Sequence, residues 1–500
     1  MASDREEIPY HPKPEPRFPG AITPENIRNL YRDCTDFWER EVLIGGDPNK
    51  RGVMFTIIGM VKTGQVNDSI LKPLTEGKGL QDMAVESVVS WMLYGGLYNM
   101  AVVLRDTLDQ VVFDLAMGNA ILLLPGESRA VSCFVPSEDG RGISQPENEP
   151  VLKGARDSFV ENIRVNSVLI RRRLRTPALK IKEELVGRQS LTPVDIFYIE
   201  ELTNPDLVQE AQKRIREIDI DALLSTANLE EYLADSVKTP FPLMAYTERP
   251  DRFCAGLVEG RVGILADGLP MGFLLPGNFG QFFKTGEDKA KNWMEASFLR
   301  ILRYVCLLVA IFLPALYVAA VNFHPEMIPA SLAWSIVEAK VDVPFFTLFE
   351  VLILLIAFEI VQEAGLRLPP AIGTTVSILG GLVVGTAAVE ARIVSPAVLI
   401  VVAVAGIAGY TMPSQEVAGA LRLWRLVLVI AAGISGLFGM VAAAVVLVHH
   451  VAALESFGVP YLTPFAAVGG EQLDGVLRRP LLWVKFRERA LKVQNKRNQK

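Results

Sequence analysis

YVCLLVAIFLPALYVAAV, residues 304–321, contains no Asp, Glu, Lys or Arg, and from this point the chain changes character. Residues 368–389, 393–412 and 426–448 are equally free of those four residue types. A hydrocarbon core about 30 Å thick is crossed by roughly 20 apolar residues in a helix. Each stretch is therefore long enough to cross or nearly cross, and residues 298–470 read as a polytopic bundle of transmembrane helices in contact with lipid.

Upstream, charges recur every few residues, Pro and Gly punctuate the chain, and no comparable uncharged run occurs. About 290 residues suffice for two compact cores. The net charge of -6 and pI near 5.6 give no electrostatic footprint for nucleic acid. Nine of the residues from Arg478 to Lys500 are nevertheless Lys or Arg, with Glu488 the one acid. Such a tail, residues 471–500, belongs on the cytoplasmic side, and Lys284, Lys289, Lys291, Arg300 and Arg303 put the soluble part there too. The charged, Pro-rich start has no apolar core of a cleaved signal peptide, so 304–321 would be the first anchor. Cys34, Cys133, Cys254 and Cys306 have neither metal nor redox spacing and read as reduced core thiols.

The soluble part repeats itself. VMFTII (53–58) and VDIFYI (194–199) are β-prone runs 141 residues apart, each followed by a polar turn and an amphipathic helical pattern. TLDQVVFDLAMG (107–118) aligns with RPDRFCAGLVEG (249–260) at an offset of 142. After each glycine comes a strand, a turn (Pro125-Gly126 or Asp267-Gly268) and a second strand. Pro250 suits the first position of a helix. The fold class is thus α/β plus an α-helical membrane domain: an N-terminal arm (1–50), an α/β lobe (51–144), a helical linker (145–191) and a second, related α/β lobe (192–291) before the helices.

In the linker, Phe159, Ile163, Val168, Ile170 and Leu174 suggest a helix with one apolar side, loaded at its end by Arg171, Arg172, Arg173 and Arg175. These arginines either complement the helix dipole in solvent or make a subunit or inter-lobe contact. Glu248, Arg249 and Asp251 are further contact candidates.

The linker run SQPENEPVLKGARDSFVENIRVNSVLIRRRLRTP (144–177) resembles that of the GerA family, the A subunits of bacterial spore germination receptors. So do KTPFPLMAYTERPDR (238–252), VEGRVGILADG (258–268), FEIVQEAGLRLP (358–369) and SFGVPYLTPFA (456–466), in the family's order along nearly the whole chain. Where members usually show Gly-Pro and Gly-Phe, this chain has Gly154-Ala155 and Ser158-Phe159. The resemblance implies a nutrient-receptor subunit of the spore inner membrane, a ring-forming homo-oligomer that opens a path for ions. It further implies a transporter-like B subunit that senses an amino acid, sugar or nucleoside, and a lipoprotein C subunit.

Within LPPAIGTTVSILGGLVVGTAAV (368–389), Gly373, Ser377, Gly381 and Gly385 recur every four residues, a stripe that lets helices approach closely in lipid. Val376, Leu379 and Val383 fall on another face, where an apolar ring would gate conduction by dewetting. A packed helix without a pore accounts for the same pattern. Residues 345–366 contain Glu350, Glu359 and Glu363, costly at membrane depth. Glu359 and Glu363 share a face and Glu350 points nearly opposite. A single pore ring therefore cannot hold all three, and the roles open to these acids are a cation-attracting ring, a proton-binding site, or an interfacial helix whose acids meet water.

Counting residues 345–366 as a span gives five crossings and an external tail. Four, or six with a pass near residues 457–468, keep both ends cytoplasmic and are preferred. The sequence lacks GxxxxGK[ST], GxSxG and HExxH, so no enzyme, cofactor or metal is expected. A permease-like transporter and a scaffold whose lobes recruit partners are the rival functions.

Overall fold

The computed structural model describes residues 17–137, 145–146, 149, 153–367, 385–465 and 475–498. Two five-stranded antiparallel sheets dominate its N-terminal part. The first has the order β1-β2-β4-β5-β3, built from Phe37–Leu43 (β1), Arg51–Ile57 (β2), Val102–Arg105 (β3), Ala120–Leu123 (β4) and Ala130–Cys133 (β5). The second has the order β6-β7-β9-β10-β8, from Leu179–Val186 (β6), Thr192–Ile199 (β7), Ala245–Thr247 (β8), Val262–Ala266 (β9) and Gly272–Leu275 (β10). The orders are identical strand for strand. Phe37 and Leu179, Ala120 and Val262, and Ala130 and Gly272 begin equivalent strands 142 residues apart.

The edge strands β1 and β6 lie in the segments expected as arm and linker. Each pairs along its whole length with the neighbouring strand, from Phe37↔Ile57 to Leu43↔Arg51 and from Leu179↔Ile199 to Val186↔Thr192. The lobes therefore begin earlier than the expected boundaries at 51 and 192.

Each lobe places one helix of the repeat on its sheet, α1 (Leu108–Ala116) and α3 (Pro250–Glu259). Thr107 and Gln110 form a capping box that starts α1, and Pro250 opens α3. Gly260 ends α3 at φ +100°, a conformation that favours glycine. Both sheets are covered on both faces. In the first, Phe55 and Ile121 join the core under α1, while Met54 and Leu122 face the opposite core, as the period of two requires.

The linker helix α2 (Ile163–Arg173) wedges between the lobes. Its Val168 joins the core of the first lobe, and Ile163 and Ile170 join that of the second. Thr35 N donates to Ile181 O at 3.0 Å and buried Lys180 donates to Leu30 O at 2.8 Å, tying the first lobe to β6. Cys34, Cys133 and Cys254 are buried free thiols, and Cys306 is half-buried and also free.

The C-terminal part is helical: α4 (Gly286–Ala290), α5 (Trp293–Phe323), α6 (Ala330–Lys340), α7 (Thr347–Arg367), a short helix at Gly385–Glu390, α8 (Pro396–Gly409) and α9 (Gln415–Ala453). Two of these, α5 and α9, are long and apolar enough to cross a membrane. The stretch 393–412 yields a helix of only 14 residues, because Ser395 and Pro396 start it late and Tyr410 closes it. At 1.5 Å per residue α8 is about 21 Å long, short of a full hydrocarbon core. The expected single crossing at 426–448 is broken at Ser435 and Gly436. Gly436 takes φ +62° and ψ -140°, and a Cβ there would lie 2.8 Å from that of Phe323. The core of the second lobe continues unbroken into the helices, from Phe253 and Phe283 through Leu307 and Ile311 to Val351 and Val429.

Candidate functional site

The elbow between the second lobe and α5 is built around one carboxylate. Thr285 and Asp288 form a capping box at the start of α4, with Thr285 Oγ1 donating to Asp288 Oδ1 at 2.9 Å. Asp288 is completely buried, and Arg300 and Arg303, three residues apart on one face of α5, close on it. Arg300 Nε donates at 2.9 Å, and Arg303 Nη1 and Nη2 each at 3.0 Å. Burial acts to raise the pKa of Asp288, but the guanidinium groups of Arg303 and Arg300 outweigh it and hold it below the usual carboxylate value. Arg303 also donates to Phe283 O at 3.0 Å, and Tyr304 stacks on the Phe283 ring at 4.5 Å. Arg300 and Arg303, read from the sequence as part of the basic flank before the first uncharged run, are the clamp of this elbow.

The far end of the helical region returns to the same lobe. Beyond α9, Glu455–Ser456 (β11) pairs with Val459–Pro460 (β12). Ser456 Oγ donates to Leu243 O at 2.6 Å. Phe279 N donates to Tyr461 O at 2.7 Å and Gly280 N to Thr463 O at 3.1 Å. Residues 456–465 are thus pinned to the second lobe, and the described part of the possible pass at 457–468, residues 457–465, forms no helix. The basic tail is also seated there: Gln494 N donates to Leu202 O at 3.0 Å, and Glu488 pairs with buried Arg261 at 3.2 Å.

The charged candidates sort by partner. Arg171 is buried and grips Asp36 through two bonds of 2.7 Å while donating to Leu179 O at 2.9 Å, an inter-lobe bridge rather than a solvated helix end. Arg172 donates to Ser137 O, also in the first lobe, and Arg173 pairs with Asp157. Buried Arg249 pairs with Asp251 at 2.7 Å, and the backbone carbonyl of Glu248 accepts from Phe159 N at 2.7 Å. These three sit inside the second lobe and its linker.

Among the membrane candidates, Glu350 is fully buried. It pairs with Lys340 at 3.2 Å and accepts from Ser395 N at 2.8 Å, at the N-terminus of α8 where the helix dipole favours an anion. Glu359 bridges two arginines of α9, Arg422 at 3.0 Å and Arg425 at 2.8 Å. Glu363 is exposed one turn further on. Glu350 and Glu359 therefore point to different helices, and no ring unites all three acids. Gly373, Ser377, Gly381, Val376, Leu379 and Val383 lie outside the described residues. Gly385 is buried with Leu399 beside it.

Sequence reasoning missed Asp36, Asp288, Arg422 and Arg425. The last two had a signal, since two arginines three apart in LRLWRL between uncharged runs require anionic partners. Asp36 and Asp288 had none, because their partners are fixed by the fold.

A sequence model of the Bacillus/Clostridium GerA spore germination protein matches residues 25–490. The chain is 36% identical over 467 residues to the uncharacterized membrane protein YfkQ of Bacillus subtilis, covering 93% of this chain and 89% of that protein. It is 33% identical to spore germination protein KA of B. subtilis (93% and 86% covered) and 33% identical to spore germination protein GerLA of Bacillus cereus (94% and 95% covered). The N-terminal domain of the A subunit of the Bacillus megaterium germinant receptor GerK3 aligns with 28% identity and a TM-score of 0.40, covering 51% of this chain and 92% of that one. A family match from Glu25 to Ala490 and relatives one-third identical across nearly the full length carry the same conclusion: this protein belongs to the GerA family of spore germination proteins.

Proposed function

We infer that this chain is the A-type subunit of a nutrient-responsive germination receptor in the spore inner membrane. In this reading its lobes and tail are cytoplasmic, and its helices assemble as a homo-oligomer around an ion path. A transporter-like B subunit and a lipoprotein C subunit would complete the receptor. The observation that carries the reading is the double attachment of α5 and α9 to one lobe. Asp288 holds the start of α5, and Ser456 and Tyr461 hold the end of α9. A displacement of the second lobe must then move both long helices, which is the mechanical link a ligand-controlled membrane path needs. Attachment of both ends to the same lobe also supports an even number of crossings.

The gate falls to Val376, Leu379 and Val383, and the assembly face to Gly373, Ser377, Gly381 and Gly385. The test is ion release from the receptor reconstituted in liposomes, with and without candidate nutrients. Val383→Ala should leak without nutrient at normal receptor abundance. Loss of abundance without leak would make Val383 a packing residue, and nutrient-independent silence of the intact receptor would favour a scaffold.

A further inference from the structure

A cleft of about 650 Å³ opens between the second lobe, the root of α5 and the tail. One wall is a face of α3, where Asp251, Cys254, Ala255, Val258 and Glu259 recur at helical spacing. The opposite wall is tail, and its cations are arranged unusually. Arg487 Nε donates to Val258 O at 3.0 Å and its Nη1 to Asn495 O at 3.0 Å. Arg478 is held by the carbonyls of Lys289, at 2.9 Å, and Lys291. Carbonyl contacts position a guanidinium without cancelling its charge.

Lys284 and Arg489 also line the cleft; among the described residues neither has a carboxylate within ion-pair distance, and Lys284 acts on Glu259 only through the field that, with Lys289, lowers its pKa against the effect of burial. The three acids on its walls are already engaged: Asp251 by Arg249 at 2.7 Å, Glu488 by Arg261 at 3.2 Å and Glu259 by Lys289 at 3.7 Å. Val258, Pro464, Leu477 and Phe486 supply apolar surface between the charges. The cleft therefore combines an excess of positioned positive charge with an apolar wall. It lies where α5 leaves the lobe, which in the proposed reading is the membrane surface.

We propose that this cleft binds a phosphate-bearing anion, with Lys284, Arg487 and Arg489 meeting the phosphate and the apolar wall taking the adjoining carbon skeleton. Two sources share that chemistry, the headgroup of an anionic phospholipid and a soluble phosphorylated small molecule. An occupant here would join the tail to the root of α5.

Full-length protein in neutral detergent should be titrated with phosphatidylglycerol, phosphatidylcholine and glycerol 1-phosphate, following thermal stabilisation. Phosphatidylglycerol should raise the melting temperature in a concentration-dependent way that weakens with salt, and phosphatidylcholine should not. Lys284→Gln with Arg489→Gln should raise the apparent Kd about tenfold or more, leaving the ligand-free melting temperature unchanged. Lys284→Arg with Arg489→Lys, which keeps both charges, should bind as the native chain does. Equal stabilisation by glycerol 1-phosphate, lost in the Gln pair, would identify the soluble source. No binding of either phosphate ligand, equal binding of phosphatidylcholine, or binding that ignores the Gln pair would overturn the proposal.

Discussion

Asp288→Asn tests whether the elbow couples the second lobe to α5. The substitution keeps the side-chain shape but removes the charge shared by Arg300 and Arg303, whose side chains are only 7% and 13% exposed. Three charge-assisted bonds of 2.9 to 3.0 Å converge on this carboxylate, and such bonds contribute about 1.5–3 kcal/mol each without simple additivity. Removing one partner of a buried ion pair costs roughly 3–5 kcal/mol, because the remaining charge is left uncompensated. The amide still accepts one or two of the bonds, so the lower end, about 3 kcal/mol, is expected. Thermal melting of the full-length protein in detergent should show the loss. A double-mutant cycle with Arg303→Gln should return a coupling of at least about 1 kcal/mol, since the two residues are in direct contact. At the level of function, germination should respond weakly to nutrient at matched receptor abundance, because the lobe no longer drives the helix. A melting temperature equal to that of the native chain, with zero coupling to Arg303 and an unimpaired response, would refute the elbow as a coupling device.

Asp195 is fully buried in β7, where Ser167 Oγ donates to it at 3.1 Å and the nearest guanidinium, of Arg164, stands 4.0 Å away. Burial pushes its carboxyl up to about 7 against the opposing pull of Arg164. A raised folded pKa means stability present below the unfolded value, near 4, and lost as pH climbs through about 7, so Asp195→Asn should stabilise the protein more at pH 8 than at pH 5; equal shifts in melting temperature at the two pH values would contradict this. Glu359→Ala leaves Arg425, whose side chain is 5% exposed, without its carboxylate. It should lower stability by about 3 kcal/mol or more and loosen α7 from α9, read as faster cleavage by added protease; Glu359→Ala with Arg425→Leu should recover part of that loss, and no recovery would place the cost elsewhere.

The sequence by itself determined what is local or periodic. The lobe repeat was legible because a strand, a capped helix and a hairpin each leave a short-range mark: Gly118 and Gly260 both adopt positive φ after their helices, and Pro250 opens α3. Two of the uncharged runs, 304–321 and 426–448, marked the long helices α5 and α9, since length and composition are themselves local properties of the chain. The edge strands were hidden. FWEREVL pairs on one side only and exposes most of its residues, so its charges obscure the alternation that a covered strand displays.

Tertiary structure alone decided which charges meet. Arg171 and Asp36 are 135 residues apart and Arg261 and Glu488 are 227 apart, and no spacing rule links either pair. Only the fold could seat the basic tail on the second lobe, or break α9 at Gly436 against Phe323. Such choices depend on which surfaces are desolvated together. A buried charge must find its partner wherever the packed chain brings one within reach.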